Sequence, residues 1–374
     1  MNVVALYLPQ YHRIKENDEW WGEGHTEWVT VKRGKAKYEG QYQPRVPLNK
    51  NYYDLSNVEV MRWQTDIARE HGISAFCVYH YWFDGKLLLE KPMENYLISD
   101  IDFPFFFCWA NETWTTIWNS DNGNKKILAS NDYSSPKYWD DHFNYCLKFF
   151  KDKRYVKNNE KPIYVIYNPI DIGFKYLSGM INRWNELAKE NGFMGIEFIY
   201  QTGNSLCFMD KKRKRLFDYA FEYYPGLVDW REKTKVQLYT DALKRRILRN
   251  NRNDTILQEY DMVWEKILNF NPKTEKLIPG AFTDWDNSAR RRHGAKIILH
   301  ANPEKFFNFF SRQLLRAKEA YKRNMIVVFA WNEWSEGGYL EPDEKFGYGY
   351  LESIKKALLL NNEFQSEFDY NNVF

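Results

Sequence analysis

The chain has 374 residues, 18% of them aromatic, and its 53 basic and 50 acidic side chains leave a formal net charge of +3. So even a balance supplies no whole-protein field for nucleic acid or for an anionic membrane surface, and neither is expected as a partner. No apolar run reaches the roughly 18 residues of a membrane span, and no charged leader precedes Val3, so the reading is a cytoplasmic protein without membrane insertion.

In chain order, eight strand-like runs stand out: Val3–Leu8, Ile73–Tyr79, Phe103–Trp109, Ile163–Tyr167, Ile196–Gln201, Tyr219–Tyr223, Leu277–Thr283 and Met325–Ala330. Several lack polar alternation, Phe105-Phe106-Phe107-Cys108-Trp109 most plainly, which suits strands buried on both faces. Helical spacing fills most of the gaps: Asn57–His71 closed by Gly72, Tyr138–Phe150, Leu177–Asn191 closed by Gly192, Thr234–Leu248, Asp254–Asn269, Pro303–Arg323 and Ser353–Leu360. Alternation of this kind predicts the α/β class and a (β/α)8 TIM barrel, one catalytic domain over residues 1–374 with loop insertions. No G-x-G-x-x-G follows the first run, which argues against an open, doubly wound sheet. The four cysteines, Cys77, Cys108, Cys146 and Cys207, form no C-x-x-C pair and read as reduced structural thiols.

A barrel gathers its functional side chains where its strands end. After the first run come Tyr11 and His12, after the second His80, Tyr81 and Trp82, after the third Trp109, Asn111 and Glu112. Glu222 closes the sixth, and Asp284 and Trp285 follow the seventh. Rings with polar edges stack on pyranose faces and bond hydroxyls, so these residues are expected to bind an oligo- or polysaccharide. After the eighth run stands Trp331-Asn332-Glu333-Trp334-Ser335-Glu336-Gly337-Gly338. Asn332 and Trp334 join the sugar-binding set, and Glu333 and Glu336 are the candidate catalytic pair. Cleaving an acetal needs a proton delivered to the leaving oxygen and a second carboxylate that attacks carbon, activates water or deprotonates a neighbouring hydroxyl. The competing reading of the two glutamates is a pair of loop salt-bridge partners.

The seven histidines form no H-x-x-x-H or H-x-H pair, so no metal site is expected, and no cofactor motif is present. Ser335 lacks a G-x-S-x-G elbow and is not read as a nucleophile. The run Lys211 to Arg215 reads as a solvated loop.

Together these stretches resemble the glycoside hydrolase family 99-like proteins, specifically the WbsX-type group associated with polysaccharide biosynthesis. The matching residues are Tyr7-Leu8-Pro9-Gln10-Tyr11-His12, Glu16-Asn17-Asp18-Glu19-Trp20-Trp21-Gly22 with Thr26-Glu27-Trp28, Tyr79-His80-Tyr81-Trp82-Phe83, Cys108-Trp109-Ala110-Asn111-Glu112 with Trp114, Trp285-Asp286-Asn287-Ser288, and Trp331 to Gly337. The resemblance implies a (β/α)8 barrel acting on α-mannose-type linkages with retention and no covalent enzyme intermediate. Glu333 would take the proton of the sugar's own 2-hydroxyl, closing a 1,2-anhydro ring, and Glu336 would protonate the leaving oxygen. One departure is Ser335, where the characterised hydrolases are expected to carry His.

Three functions follow as expectations. The first is a retaining, endo-acting glycoside hydrolase of the mannosidase type, working on an α-linked bacterial polysaccharide. The second is a glycosyltransferase or transglycosylase of surface polysaccharide, O-antigen or capsular, biosynthesis, for which Asp284-Trp285-Asp286 is the relevant D-x-D. The third is a barrel that binds carbohydrate without turning it over.

Overall fold

A computed structural model describes residues 1–116, 126–203, 209–231, 233–234, 236–237, 240, 255–291 and 293–374. Its frame is a parallel sheet whose strands, in chain order, are β1 (Asn2–Tyr7), β2 (Ala75–Phe83), β3 (Phe105–Trp109), β4 (Lys161–Ile166), β5 (Glu197–Thr202), β6 (Tyr219–Glu222), β7 (Leu277–Ile278), β8 (Gly280–Phe282) and β9 (Met325–Phe329). β1 pairs with β2 on one side and with β9 on the other, Asn2 opposite Met325. From β2 the ladder runs through β3, β4, β5 and β6 to β7, while β8 pairs with β9.

β7 and β8 are halves of one strand interrupted at Pro279. Proline has no N–H to donate, so the ladder breaks there. The Pro279 carbonyl still accepts from Val327 N at 3.0 Å. The first half pairs with β6, the second with β9, and the sheet closes into the expected barrel. Closure depends on Gly280, because a Cβ at that position would overlap the Glu222 carbonyl oxygen.

The apolar runs become strands because both faces of a barrel strand are covered. Met325–Phe329 and Phe105–Trp109 are buried at every position. β2 departs from expectation. It continues past Tyr79 to Phe83 because an antiparallel hairpin with Lys86–Leu88 extends its ladder, so His80, Tyr81 and Trp82 lie within the strand and not in a loop beyond it.

The covering helices include Val58–Glu70, whose Asn57 cap accepts from Glu59 N at 3.1 Å, then Pro136–Phe150, Phe174–Glu190, Pro303–Glu319 and Gly349–Leu360. Gly72 and Gly192 end their helices at positive φ, as their positions predict. The expected helix Asp254–Asn269 is divided. Ile256–Glu259 is a strand paired with Lys296–Leu299, and the helix begins only at Tyr260. Thr234–Leu248 falls almost wholly outside the described residues. Lys211–Lys214 form a short helical turn capped by Asp210, not a loop. Cys77, Cys108 and Cys146 are free and buried, and Cys207 lies outside the described residues. Among the described residues no helix is long and apolar enough to cross a membrane.

Candidate active site

Beyond β9 the chain forms a tight hairpin, with Asn332–Glu333 paired antiparallel to Gly338–Tyr339 and a single 3-10 turn, Trp334–Glu336, between them. Gly337 ends that turn at φ +75°, and a Cβ on it would press on Asp286 N at 3.0 Å and on Arg45. The hairpin explains the spacing of the glutamates. Glu333 projects from its arm and Glu336 from its turn, and both line one cavity of about 310 Å³ at the strands' carboxyl ends.

Asn332 fixes the hairpin to the barrel. Its side-chain oxygen accepts from Leu8 N at 2.8 Å and its amide donates to Leu8 O at 3.0 Å, continuing the β1–β9 pairing after the strands have ended. Beneath it the buried Glu341 carboxylate accepts from Trp331 Nε1 (3.0 Å) and Gln64 (2.6 Å) on one oxygen, and from Trp334 Nε1 (2.7 Å) and Tyr53 (2.8 Å) on the other. Tyr11 O–H donates to Asn332 O at 2.6 Å. This floor is rigid because every polar atom in it has a partner.

Arg290 lies over the floor. Its Nη1 meets Glu336 Oε1 at 3.2 Å, and its Nη2 meets Glu333 Oε1 at 3.3 Å, Glu27 Oε2 at 3.2 Å and Ser335 Oγ at 2.5 Å. Ser335 in turn donates to Glu333 Oε1 at 2.8 Å. Glu27 comes from the short helix Glu27–Lys32 in the insertion after β1. Burial pushes the carboxyls of both Glu333 and Glu336 above the ordinary range, with Arg290 pulling each back. Glu112 opens to solvent at the mouth, yet the walls around it, with Asp171 and Glu336, raise its carboxyl to about 7. Aromatic rings complete the wall: Trp21, Tyr79, Tyr81, Trp114, Tyr167 and Tyr223.

Of the residues singled out from the sequence, Tyr81, Glu112, Glu333 and Glu336 line this cavity. The others lie below or behind it. Tyr11, Asn332 and Trp334 belong to the floor. Asn111 bridges β3 to the chain after β4, accepting from Asn168 N at 2.8 Å and donating to Asn168 O at 2.9 Å. His12 is 3% exposed, and Trp285 packs against Phe329 at 5.2 Å between ring centres. Asp284 is paired with Arg45 at 2.8 Å. Glu222 is 1% exposed, with its carboxylate taken up by Arg231 (2.5 Å), Tyr321 (2.8 Å) and Tyr224 (3.0 Å).

His80, Trp82 and Trp109 form a separate aromatic cluster around His142. Trp82 stacks on that imidazole at 4.7 Å, and Trp109 Nε1 donates to Trp82 O at 3.1 Å. His80, His142 and Cys146 have ligand-type atoms within 4.8 Å of one another. The imidazoles meet Nε2 to Nε2 at 2.9 Å, and burial lowers His80 to about 3 and His142 well below its ordinary value, so both are neutral. Tyr164 O–H also meets His142 Nε2, at 3.1 Å, and the group packs among buried rings outside the cavity.

Arg290 and Glu27 escaped the sequence reading. Arg290 stands two residues beyond the matched Trp285-Asp286-Asn287-Ser288, and Glu27 lies inside the matched Thr26-Glu27-Trp28, where it was given no role.

The barrel is a fold shared with solved glycoside hydrolases. An endo-α-mannosidase of glycoside hydrolase family 99 from Bacteroides thetaiotaomicron superposes with a TM-score of 0.55 at 12% identity, covering 98% of each chain. A structure described as a glycoside hydrolase-like protein gives 0.59 at 13% identity over 95% of this chain and 93% of its own. At such identities the likeness is one of fold. The chain belongs to the family described as glycosyltransferase WbsX, whose model matches residues 3–354. Two sequences described as uncharacterized protein WxcX, from two strains of Xanthomonas campestris pv. campestris, are each 33% identical over 370 residues. The chain spans about half the length of these relatives, 49%.

Proposed function

We propose that the protein is a retaining glycoside hydrolase that cuts an α-linked polysaccharide inside the chain, with Glu333 as base and Glu336 as acid. The observation that carries this reading is the placement of two glutamates with raised carboxyls in one aromatic-walled cavity. Glu333 removes the proton from the sugar's 2-hydroxyl, O2 attacks C1, and the C1–O bond breaks as Glu336 protonates the leaving oxygen. Water then attacks C1 and gives a proton to Glu336, as the C1–O2 bond of the anhydro ring breaks and Glu333 returns its proton to O2. Two inversions at C1 give net retention. One short hairpin suffices for both tasks because O2 and the glycosidic oxygen sit on neighbouring carbons, and the chemistry requires a free 2-hydroxyl trans to the leaving group, as in α-mannosides.

The family description favours a second reading, in which a sugar hydroxyl replaces water and the product is a transferred glycan. The lining argues against a nucleotide-sugar donor for that transfer. Glu27, Glu112, Glu333 and Glu336 line the cavity with Arg290 in contact with three of them, an environment that repels a diphosphate.

The test is incubation of wild type and Glu336→Gln with α-mannans and bacterial surface polysaccharides, with and without sugar nucleotides. Oligosaccharide release by the wild type alone supports the hydrolase. Turnover that needs a sugar nucleotide supports the transferase, and binding without turnover by either protein rejects both.

A further inference from the structure

We propose that Arg290, anchored by Glu27, is a positioning residue that sets the pH at which the Glu333–Glu336 pair gives up its shared proton. The catalytic consequence rests on the glycosidase reading above; the positioning itself rests on geometry. A single guanidinium touches both catalytic carboxylates through different nitrogens, Nη2 on Glu333 and Nη1 on Glu336, while Glu27 and Ser335 hold Nη2 from the side. Arg290 is 22% exposed and Glu27 20%, so the four side chains share an enclosed volume.

Three carboxylates around one guanidinium would leave two uncompensated charges if all ionised. In an enclosed site the cheaper state retains a proton, and the two glutamates then titrate as a pair. Arg290 pulls both carboxyls down and Glu27 pushes both up. Tyr11, Tyr81 and Tyr223 also face Glu333. Arg291, Glu112, Tyr167 and Tyr223 face Glu336. All of these remain in the variants below.

Removing the anchor and removing the guanidinium therefore have opposite effects. Arg290→Gln deletes the positive charge and moves the pair's titration to higher pH. Glu27→Gln deletes a negative charge and moves it to lower pH. A residue serving only to hold the fold would not produce opposed shifts. Arg290→Lys keeps the charge but cannot span both carboxylates with two nitrogens, so its titration stays near wild type while kcat falls and KM holds.

The experiment is a carboxyl titration of the whole protein, carrying glutamate labelled with carbon-13 at the side-chain carboxyl, by NMR, with Glu333→Gln and Glu336→Gln for assignment. The expected result is a midpoint shift of about one pH unit or more, upward in Arg290→Gln and downward in Glu27→Gln. Shifts in the same direction, or none, overturn the proposal. If Arg290→Gln does not fold, Glu27→Gln decides alone, and an unchanged or raised midpoint overturns it. Opposed shifts in a protein that turns over no glycan at any pH leave the positioning intact and reject the glycosidase reading, so the two failures are told apart.

Discussion

The Ser335 hydroxyl donates to Glu333 Oε1 across 2.8 Å while its oxygen lies 2.5 Å from Arg290 Nη2. Ser335 is fully buried, so the residue that departs from the family pattern is a fixed donor to the proposed base. Ser335→Ala removes a hydrogen bond that favours the ionised form. Its pH–rate profile should move upward and its activity near neutrality should fall by about tenfold, with thermal stability within about 1 kcal/mol of wild type. An unchanged profile would refute the role.

Glu333→Gln and Glu336→Gln should each lower turnover on the substrate by about 10²–10⁴-fold while leaving the fold intact. If Glu336 is the acid, a glycoside with a good leaving group restores much of the activity of Glu336→Gln and little of that of Glu333→Gln. Kinetics on matched activated and unactivated glycosides measure this.

Glu222 supports the barrel wall beside the seam, not the cavity. Glu222→Gln leaves Arg231 buried and without its carboxylate partner. The cost expected is about 3–5 kcal/mol, read as a fall in Tm. Glycan affinity of the folded fraction, by calorimetry at low temperature, should be unchanged.

Glu341 imposes a pH dependence on stability. Burial raises its carboxyl to about 7 against four hydrogen-bond donors that oppose the rise. The native value exceeds that of the unfolded chain, so the folded protein binds more protons in between. Stability from this group is full below about 4.5 and is lost as pH climbs to about 7, a change of about 3 kcal/mol. Glu341→Gln should be less stable overall, because one amide oxygen cannot receive the donors of two carboxylate oxygens, and its denaturation midpoints should lose that slope. An identical slope in the variant would exclude Glu341 as its source.

Gly280→Ala should prevent proper closure of the barrel. The added methyl overlaps the Glu222 carbonyl oxygen, which is backbone and cannot rotate aside, so a loss of several kcal/mol is expected in chemical denaturation. Unchanged stability would mean that the seam can open to admit the methyl.

Much of this architecture was legible in the chain. Met325 to Phe329 and Phe105 to Trp109 declare themselves because a strand covered on both faces has no need of polar alternation. The place of Glu333 and Glu336 after the last strand was legible for the same reason, as a polar burst after such a run, whereas the hairpin that carries them was not. Other features depend on partners far away in sequence. His80 bonds to His142 and Glu222 to Tyr321, 62 and 99 residues apart, so a polar residue at a strand end gave no sign of whether it met solvent, sugar or core. Trp109 and Trp82 looked like sugar platforms because their rings follow or end strands, yet a barrel this rich in aromatic residues spends many of them on its own packing. Arg290 was hidden because its meaning comes from Glu27, 263 residues earlier.

The pairing of Asn2 with Met325 ties assembly to the order in which the ribosome delivers the chain. β1 precedes β9 by more than 300 residues, so β1 keeps one bare edge until β9 arrives and is a template for wrong partners in the interval. Glu333 and Glu336 follow β9 directly. The strand that closes the sheet is thus the one that delivers the two cavity carboxylates, and a nascent chain short of it has neither a finished wall nor that pair.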